Sequence, residues 1–176
     1  CDYLICLYHG GKEHYRYPSP NLQKRCRKMV EKGADLVICQ HTHCIGCEEK
    51  WKDGTIVYGQ GNFLFDYSDI ECWQTSVLVS VDLDDRSVTY IPIQKNGNGV
   101  KSAEKETGEK ILSDMEQRTK QIQQNDFVEK QYTELAKSMI NEYMSRDCAI
   151  TKKLPFRVVN KLSGYRLGNK IIQNKI

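Results

Sequence analysis

The apolar and polar positions of this chain follow two periods, and the change from one to the other marks its organisation. Residues 2–8 form a short, mostly apolar run ending at His9. After a Gly-rich polar stretch, Ser19-Pro20 opens a helix, with Ser as N-cap and Pro at the first helical position. Leu22, Cys26, Met29 and Val30 recur at helical spacing, while Lys24, Arg25, Arg27 and Lys28 take the wet side. Gly33 is placed to end the helix in a left-handed conformation. Leu36, Val37, Ile38 and Cys39 then make a second apolar strand that runs out at Gln40-His41. Strand, helix and strand within about 40 residues predict a βαβ unit with parallel strands.

Antiparallel signals follow. Thr55 to Tyr58 is a β-branched run after the turn pair Asp53-Gly54. Val77, Val79, Val81 and Leu83 alternate, Asp84-Asp85 turns the chain, and Val88 to Ile93 runs back. From Ser102 the period lengthens. Ile111, Leu112, Met115 and Ile122 fit one amphipathic helix, and Val128, Tyr132, Leu135, Met139 and Tyr143 fit another. The Asn-Gly-Asn-Gly stretch at 96–99 reads as the boundary between an α/β part, residues 1–98, and a helical part, residues 99–176.

Composition adds limits. With 39% hydrophobic and 28% charged residues in 176, the chain can build a core. No apolar run approaches the roughly 20 residues of a membrane-spanning helix. A net charge of +3 does not announce a nucleic-acid binder. The charge is uneven, however: after Asp147 no acidic residue occurs, while Lys152, Lys153, Arg157, Lys161, Arg166, Lys170 and Lys175 are all basic. That run either holds an anionic polymer or an anionic membrane surface, or packs as a helix through its interleaved Leu, Val and Ile residues. The chain opens on Cys1 rather than Met and enters an apolar run by Tyr3, so it reads as a piece of a longer protein. Of eight cysteines, Cys6 and Cys39 fall in apolar runs and Cys26 on a buried helix face, which favours free thiols and a reducing compartment.

The candidate chemistry lies where the two parallel strands end. Ligand sites in such sheets form at the carboxyl ends of strands, which brings His9 near His41 and His43. Residues two apart in an extended segment project to one side, so His41 and His43 can offer imidazole nitrogens to one ion. Neutral imidazoles suit Zn²⁺, Mn²⁺ or Fe. Glu13, four residues past His9, can add an oxygen ligand or accept a proton. The competing reading makes all of these ordinary surface loop residues.

Four segments in order carry a resemblance: His9-Gly10-Gly11-Lys12-Glu13, Gly33-Ala34-Asp35-Leu36-Val37-Ile38, His41-Thr42-His43, and Tyr58-Gly59-Gln60-Gly61-Asn62-Phe63-Leu64-Phe65-Asp66. Together they resemble the CapA family, the capsule-synthesis and poly-γ-glutamate branch of the calcineurin-like metallophosphoesterases, over about residues 2–95. The resemblance implies an α/β fold, a metallophosphoesterase-like β-sandwich fragment, followed here by a helical region. It implies divalent metal ions (Mn, Zn or Fe) held by His9, His41 and His43, catalytic roles for Glu13 and His41, and a substrate-binding role for Asn62. Implied partners are an anionic capsule polymer or its precursor and capsule synthase proteins. Cys39-Gln40 before the histidine pair and Cys44 after it depart from the family pattern. The family's early aspartate, a glutamate and an Asn-His pair belong before the position of Cys1, so this chain by itself is not expected to catalyse efficiently. A non-catalytic assembly or polymer-binding role is the alternative.

Cys39-x4-Cys44-x2-Cys47 also resembles an iron–sulfur loop, with Cys72 as a distant fourth ligand, or a structural zinc site. The other reading makes Cys39 part of a buried strand and its neighbours coincidental, and the family resemblance accounts for the stretch without thiolate ligands.

Overall fold

A computed structural model describes residues 1–64 and 70–145. The elements are β1 (Ile5–His9), α1 (Pro20–Glu31), β2 (Leu36–Gln40), β3 (Glu48–Trp51), β4 (Gly54–Val57), a single 3-10 turn (Glu71–Trp73), β5 (Thr75–Val81), β6 (Val88–Asn96), β7 (Gly99–Ser102), α2 (Lys105–Ile122) and α3 (Phe127–Ser145). The expected βαβ unit is present, with β1 and β2 parallel and His9 opposite Gln40. Helix α1 starts as its sequence dictates: the Ser19 side chain accepts from Leu22 N, Pro20 is the first helical residue, and Gly33 follows the end at φ +106°.

β4 joins β2 in parallel and β3 pairs antiparallel with β4, giving the order β1-β2-β4-β3. A second sheet is antiparallel, in the order β5-β6-β7. Strand periodicity of two divides β2 between two clusters. Val37 and Cys39 pack with Leu22, Cys26 and Val30 of α1, whereas Leu36 and Ile38 pack with Val57, Val77, Ile111 and Met115. The second cluster draws in Val79, Val81, Val88 and Tyr90, so the two sheets share one apolar layer. This mixed α/β arrangement is the one expected of a metallophosphoesterase-like fragment. Because both faces of β2 and β4 are covered, these strands read as unbroken apolar runs.

Two strands escaped the sequence reading. β3 is Glu-Glu-Lys-Trp, an edge strand with no apolar alternation. Its Glu49 is buried, and the carboxylate accepts from Tyr58 Oη at 2.5 Å, from Gln23 Nε2 at 3.4 Å and from the Arg27 guanidinium. Arg27, expected on the wet face of α1, turns to make this ion pair while its side chain stays 30% exposed, and it lies over Trp51 at 4.1 Å. The hydrogen bonds to Glu49 offset the desolvation of its buried carboxylate. β7 is the other. The Asn96–Gly99 stretch turns the chain between β6 and β7, with Gly97 at φ +58°.

α2 packs on β3 and β6. Arg118 Nε donates to Gly46 O at 2.8 Å, and Thr119 Oγ1 accepts from Glu48 N at 2.9 Å. Ile111, Met115 and Ile122 are buried as expected, but Leu112 is 40% exposed. At about 100° per residue it lies at the margin of the stripe that Ile111 centres. The chain falls into two compact units, Cys1–Val128 and Glu129–Ile176. In the second, the described part is α3, with Tyr132, Leu135 and Met139 half-buried at the expected spacing. No described helix is long and apolar enough to cross a membrane. The basic run from Lys152 onward, Cys148, and the Phe65-Asp66 end of the fourth motif lie outside the described residues.

Candidate metal centre

β1 and β2 leave the sheet side by side, and the loops that follow are stapled together. Gly10 N donates to Gln40 O at 3.2 Å, and His14 N to Thr42 O at 2.9 Å. Thr42 is 1% exposed and anchors the second loop, its hydroxyl donating to Cys44 O at 3.1 Å. Gly11 lies against it at φ +128°, where a Cβ would stand 2.6 Å from Thr42 Cγ2. A third loop closes from the other side, with Gly46 N donating to Gly59 O at 2.9 Å and Val77 N to Gln60 O at 2.9 Å. Gly59 (φ +149°) has no room for a side chain, since its Cβ would meet Cys44 O at 2.6 Å.

This packing gathers the histidines. The His9 and His41 rings are 4.8 Å apart between centroids, and those of His41 and His43 are 5.9 Å apart. Glu13, His41 and His43 offer ligand atoms that all lie within 4.8 Å of one another. Glu13 Oε1 is 4.0 Å from His41 Nε2. Oxygen and nitrogen ligands roughly 2.1 Å from an ion stand roughly 3–4.2 Å apart, so this pair fits a common cation. His9 adjoins His41 but is not one of the three mutually close groups. Glu13 and His9 are exposed, and His41 and His43 are half-buried, so the site opens to solvent.

The rings converge by a different route from the one expected. The segment His41-Thr42-His43 is not extended: His41 has φ +83° and His43 φ +59°. With Thr42 buried between loops, both flanking residues turn through left-handed conformations, a backbone cost of about 1–3 kcal/mol each that surrounding contacts must offset.

Asn62 lies against the His43 ring. Its Oδ1 lies 2.9 Å from His43 Nδ1. An amide oxygen only accepts, so Nδ1 carries the proton and Nε2 is the unprotonated ring nitrogen. Among the described residues, Asn62 Nδ2 is buried without a hydrogen-bond partner. An orphaned buried amide is costly, and an acceptor on a bound group would satisfy it. That orphan and the convergent donor set both fit a metal site with an anionic ligand.

The cysteines divide differently from their spacing. Cys39 Sγ lies 3.4 Å from Cys26 Sγ in the core, and Cys47 is buried in the same cluster. The hydrogen bond with Cys26 and burial push the Cys39 thiol far above its ordinary pKa. Cys44 points elsewhere, grouped with His14 and Cys72. Burial, then the hydrogen bond with Cys72, pushes its thiol up to about 12. Among the described residues, Cys39, Cys44 and Cys47 therefore do not form one ligand set. Sequence reading missed the His14–Cys44–Cys72 group. The one available signal was that His14 follows Glu13 and Cys44 follows His43.

Comparison with known proteins places these residues in a family context. Residues 1–67 match the family model "Bacterial capsule synthesis protein PGA_cap", a span that includes His9, Glu13, His41, His43 and Asn62. The chain is similar to "Capsule biosynthesis protein CapA" of Bacillus anthracis, 30% identical over 95 residues, covering 52% of this chain and 22% of that protein. It is also similar to "PGA biosynthesis protein CapA" of Bacillus subtilis strain 168, 26% identical over 98 residues, covering 56% of this chain and 23% of that protein. The similarity is thus to a part of these proteins: the chain spans less than a quarter of the length of these relatives.

Proposed function

We propose that this chain is part of a protein of capsule or surface-polymer biosynthesis, poly-γ-glutamate or polysaccharide, whose metallophosphoesterase-type site binds divalent cations through His41, His43, Glu13 and the adjoining His9. The observation that carries the reading is the convergence of Glu13, His41 and His43 within 4.8 Å, inside the segment that matches the capsule-synthesis family. When bound, divalent ions (Mn, Zn or Fe) supply Lewis-acid polarisation of an electrophilic centre and neutralise developing charge. The chain's own residues do the rest. His43 presents Nε2 because Asn62 holds its Nδ1 proton, and Asn62 Nδ2 remains available to an acceptor on the substrate. Glu13, exposed at the rim, ligates or takes a proton. An anionic polymer or its precursor is the substrate class that this centre would suit once it holds divalent cations, in company with capsule synthase proteins.

Calorimetric titration of this chain with Mn²⁺ tests the site. Binding is expected, and His41→Ala should weaken it at least tenfold. Unchanged binding in that variant would remove the assignment. In a protein of its relatives' full length, hydrolysis of a model phosphodiester should depend on added metal and disappear in His41→Ala. The present chain alone should be nearly inactive.

One feature of the sequence favours the second reading, a non-catalytic assembly or polymer-binding component: no acidic residue follows Asp147, while basic residues recur from Lys152 on. Salt-sensitive polymer binding that persists after chelation would support that role, with the basic run from Lys152 as its first suspect.

A further inference from the structure

The group formed by His14, Cys44 and Cys72 takes no part in the proposed function. Glu13 and His14 are consecutive, as are His43 and Cys44, so each loop sends one side chain to the histidine–carboxylate group and the next to a second group. There, one imidazole nitrogen and two sulfurs lie within 4.8 Å of one another. His14 Nδ1 is 3.8 Å from Cys72 Sγ.

The spacing suits a metal. Zinc bonds of about 2.3 Å to sulfur and 2.0–2.1 Å to nitrogen, opened to the tetrahedral angle, place S and N about 3.6 Å apart and two sulfurs about 3.8 Å apart. The observed His14–Cys72 separation is within a few tenths of an ångström of that edge. The donor types differ from those of the neighbouring group: thiolate sulfur selects soft cations, whereas carboxylate and imidazole admit Mn²⁺. The three ligands also come from separate places, the loop after β1, the loop after β2 and the 3-10 turn before β5. A cation there would tie all three together. Cys44 is buried, Cys72 is half-buried and His14 is exposed, which leaves the fourth position on the solvent side.

We propose that His14, Cys44 and Cys72 form a second metal site, a Cys₂His centre for a soft divalent cation such as Zn²⁺, distinct from the Glu13–His41–His43 group. Both thiols lose their protons to solvent on binding, and no oxidation or reduction is involved.

Co²⁺, used as a spectroscopic stand-in for zinc on the reduced full chain, tests it. A thiolate-to-cobalt charge-transfer band in the near ultraviolet, saturating at about one ion per chain, is the expected result, and excess Zn²⁺ should abolish it. The band should survive Glu13→Gln, which impairs only the neighbouring group, and vanish in Cys72→Ser. His14→Ala, at an exposed position, should weaken Co²⁺ binding at least tenfold in a chain whose circular dichroism matches that of the wild type. A band of full strength in Cys72→Ser, or no thiolate band in the reduced wild-type chain, would overturn the proposal. So would loss of the band in Glu13→Gln with folding intact, because the two groups would then be one site.

Discussion

The two sheets of this molecule solve the same packing problem and bear very different loops. In the four-stranded sheet, β2 and β4 are covered on both faces, and the ends of β1, β2 and β4 carry His9, Glu13, His41, His43 and Asn62. Left-handed backbone crowds this edge: Gly11, His14, His41, His43, Gly59 and Gly61 all have positive φ. In the three-stranded sheet, left-handed residues occur at Arg86 and Gly97, where hairpins simply reverse the chain. A hairpin turn closes one ladder and can relax into solvent. The loops at the other edge must bring side chains from three connections together, and each is locked by hydrogen bonds to the next. Strain without a local turn to explain it sets this edge apart and is the kind that accompanies a binding site.

Substitutions can break or sharpen that contrast. The largest effect is expected from Gly59→Ala, where left-handed strain adds to a 2.6 Å encounter with Cys44 O. The sum is roughly 3 kcal/mol of destabilisation, read from denaturant unfolding, together with loss of metal binding. Arg27→Ala tests whether the four-stranded sheet also depends on its buried charge. Leaving Glu49 unpaired should cost about 3 kcal/mol in the same measurement, with metal affinity retained in the folded fraction. Asn62→Ala should do the opposite. A 10–100-fold loss of Mn²⁺ affinity is expected with little change in the unfolding midpoint, because the side chain orients His43 and adds little to the core. An equal loss of stability would instead make Asn62 a structural residue. Gly97→Ala is the control from the other sheet. Its φ is +58° and nothing lies within 4 Å of an added Cβ, so about 1 kcal/mol is lost and metal binding is untouched. A Gly97 effect as large as that of Gly59 would dissolve the distinction between the two edges.

How far the sequence carried depended on whether a feature was local. β1, α1, β2, β4, β5 and β6 were legible because period, caps and turns act within a few residues, and Ser19-Pro20 and Gly33 behave as their chemistry requires. β3 was not legible because its partner is β4 and its one buried side chain is a glutamate whose cation lies on α1. Leu112 was misplaced by the width of a helical stripe. At the strand ends, the order of the motifs singled out His9, Glu13, His41 and His43, which the fold brings near one another. The left-handed turns that aim His41 and His43, and the hydrogen bond from His43 to Asn62, could not be read from spacing.

By itself, then, the sequence determined the βαβ unit, the antiparallel run, the helical region and the types of donor atom at the strand ends. All of these follow from short-range periodicity and side-chain chemistry. Tertiary structure alone decided which cysteines face the core and which face a neighbouring histidine, that Arg27 neutralises Glu49, and that the loops lock through Thr42. The reason is physical. A ligand set or a buried ion pair is a relation between atoms distant along the chain, and only close packing brings those atoms within bonding distance.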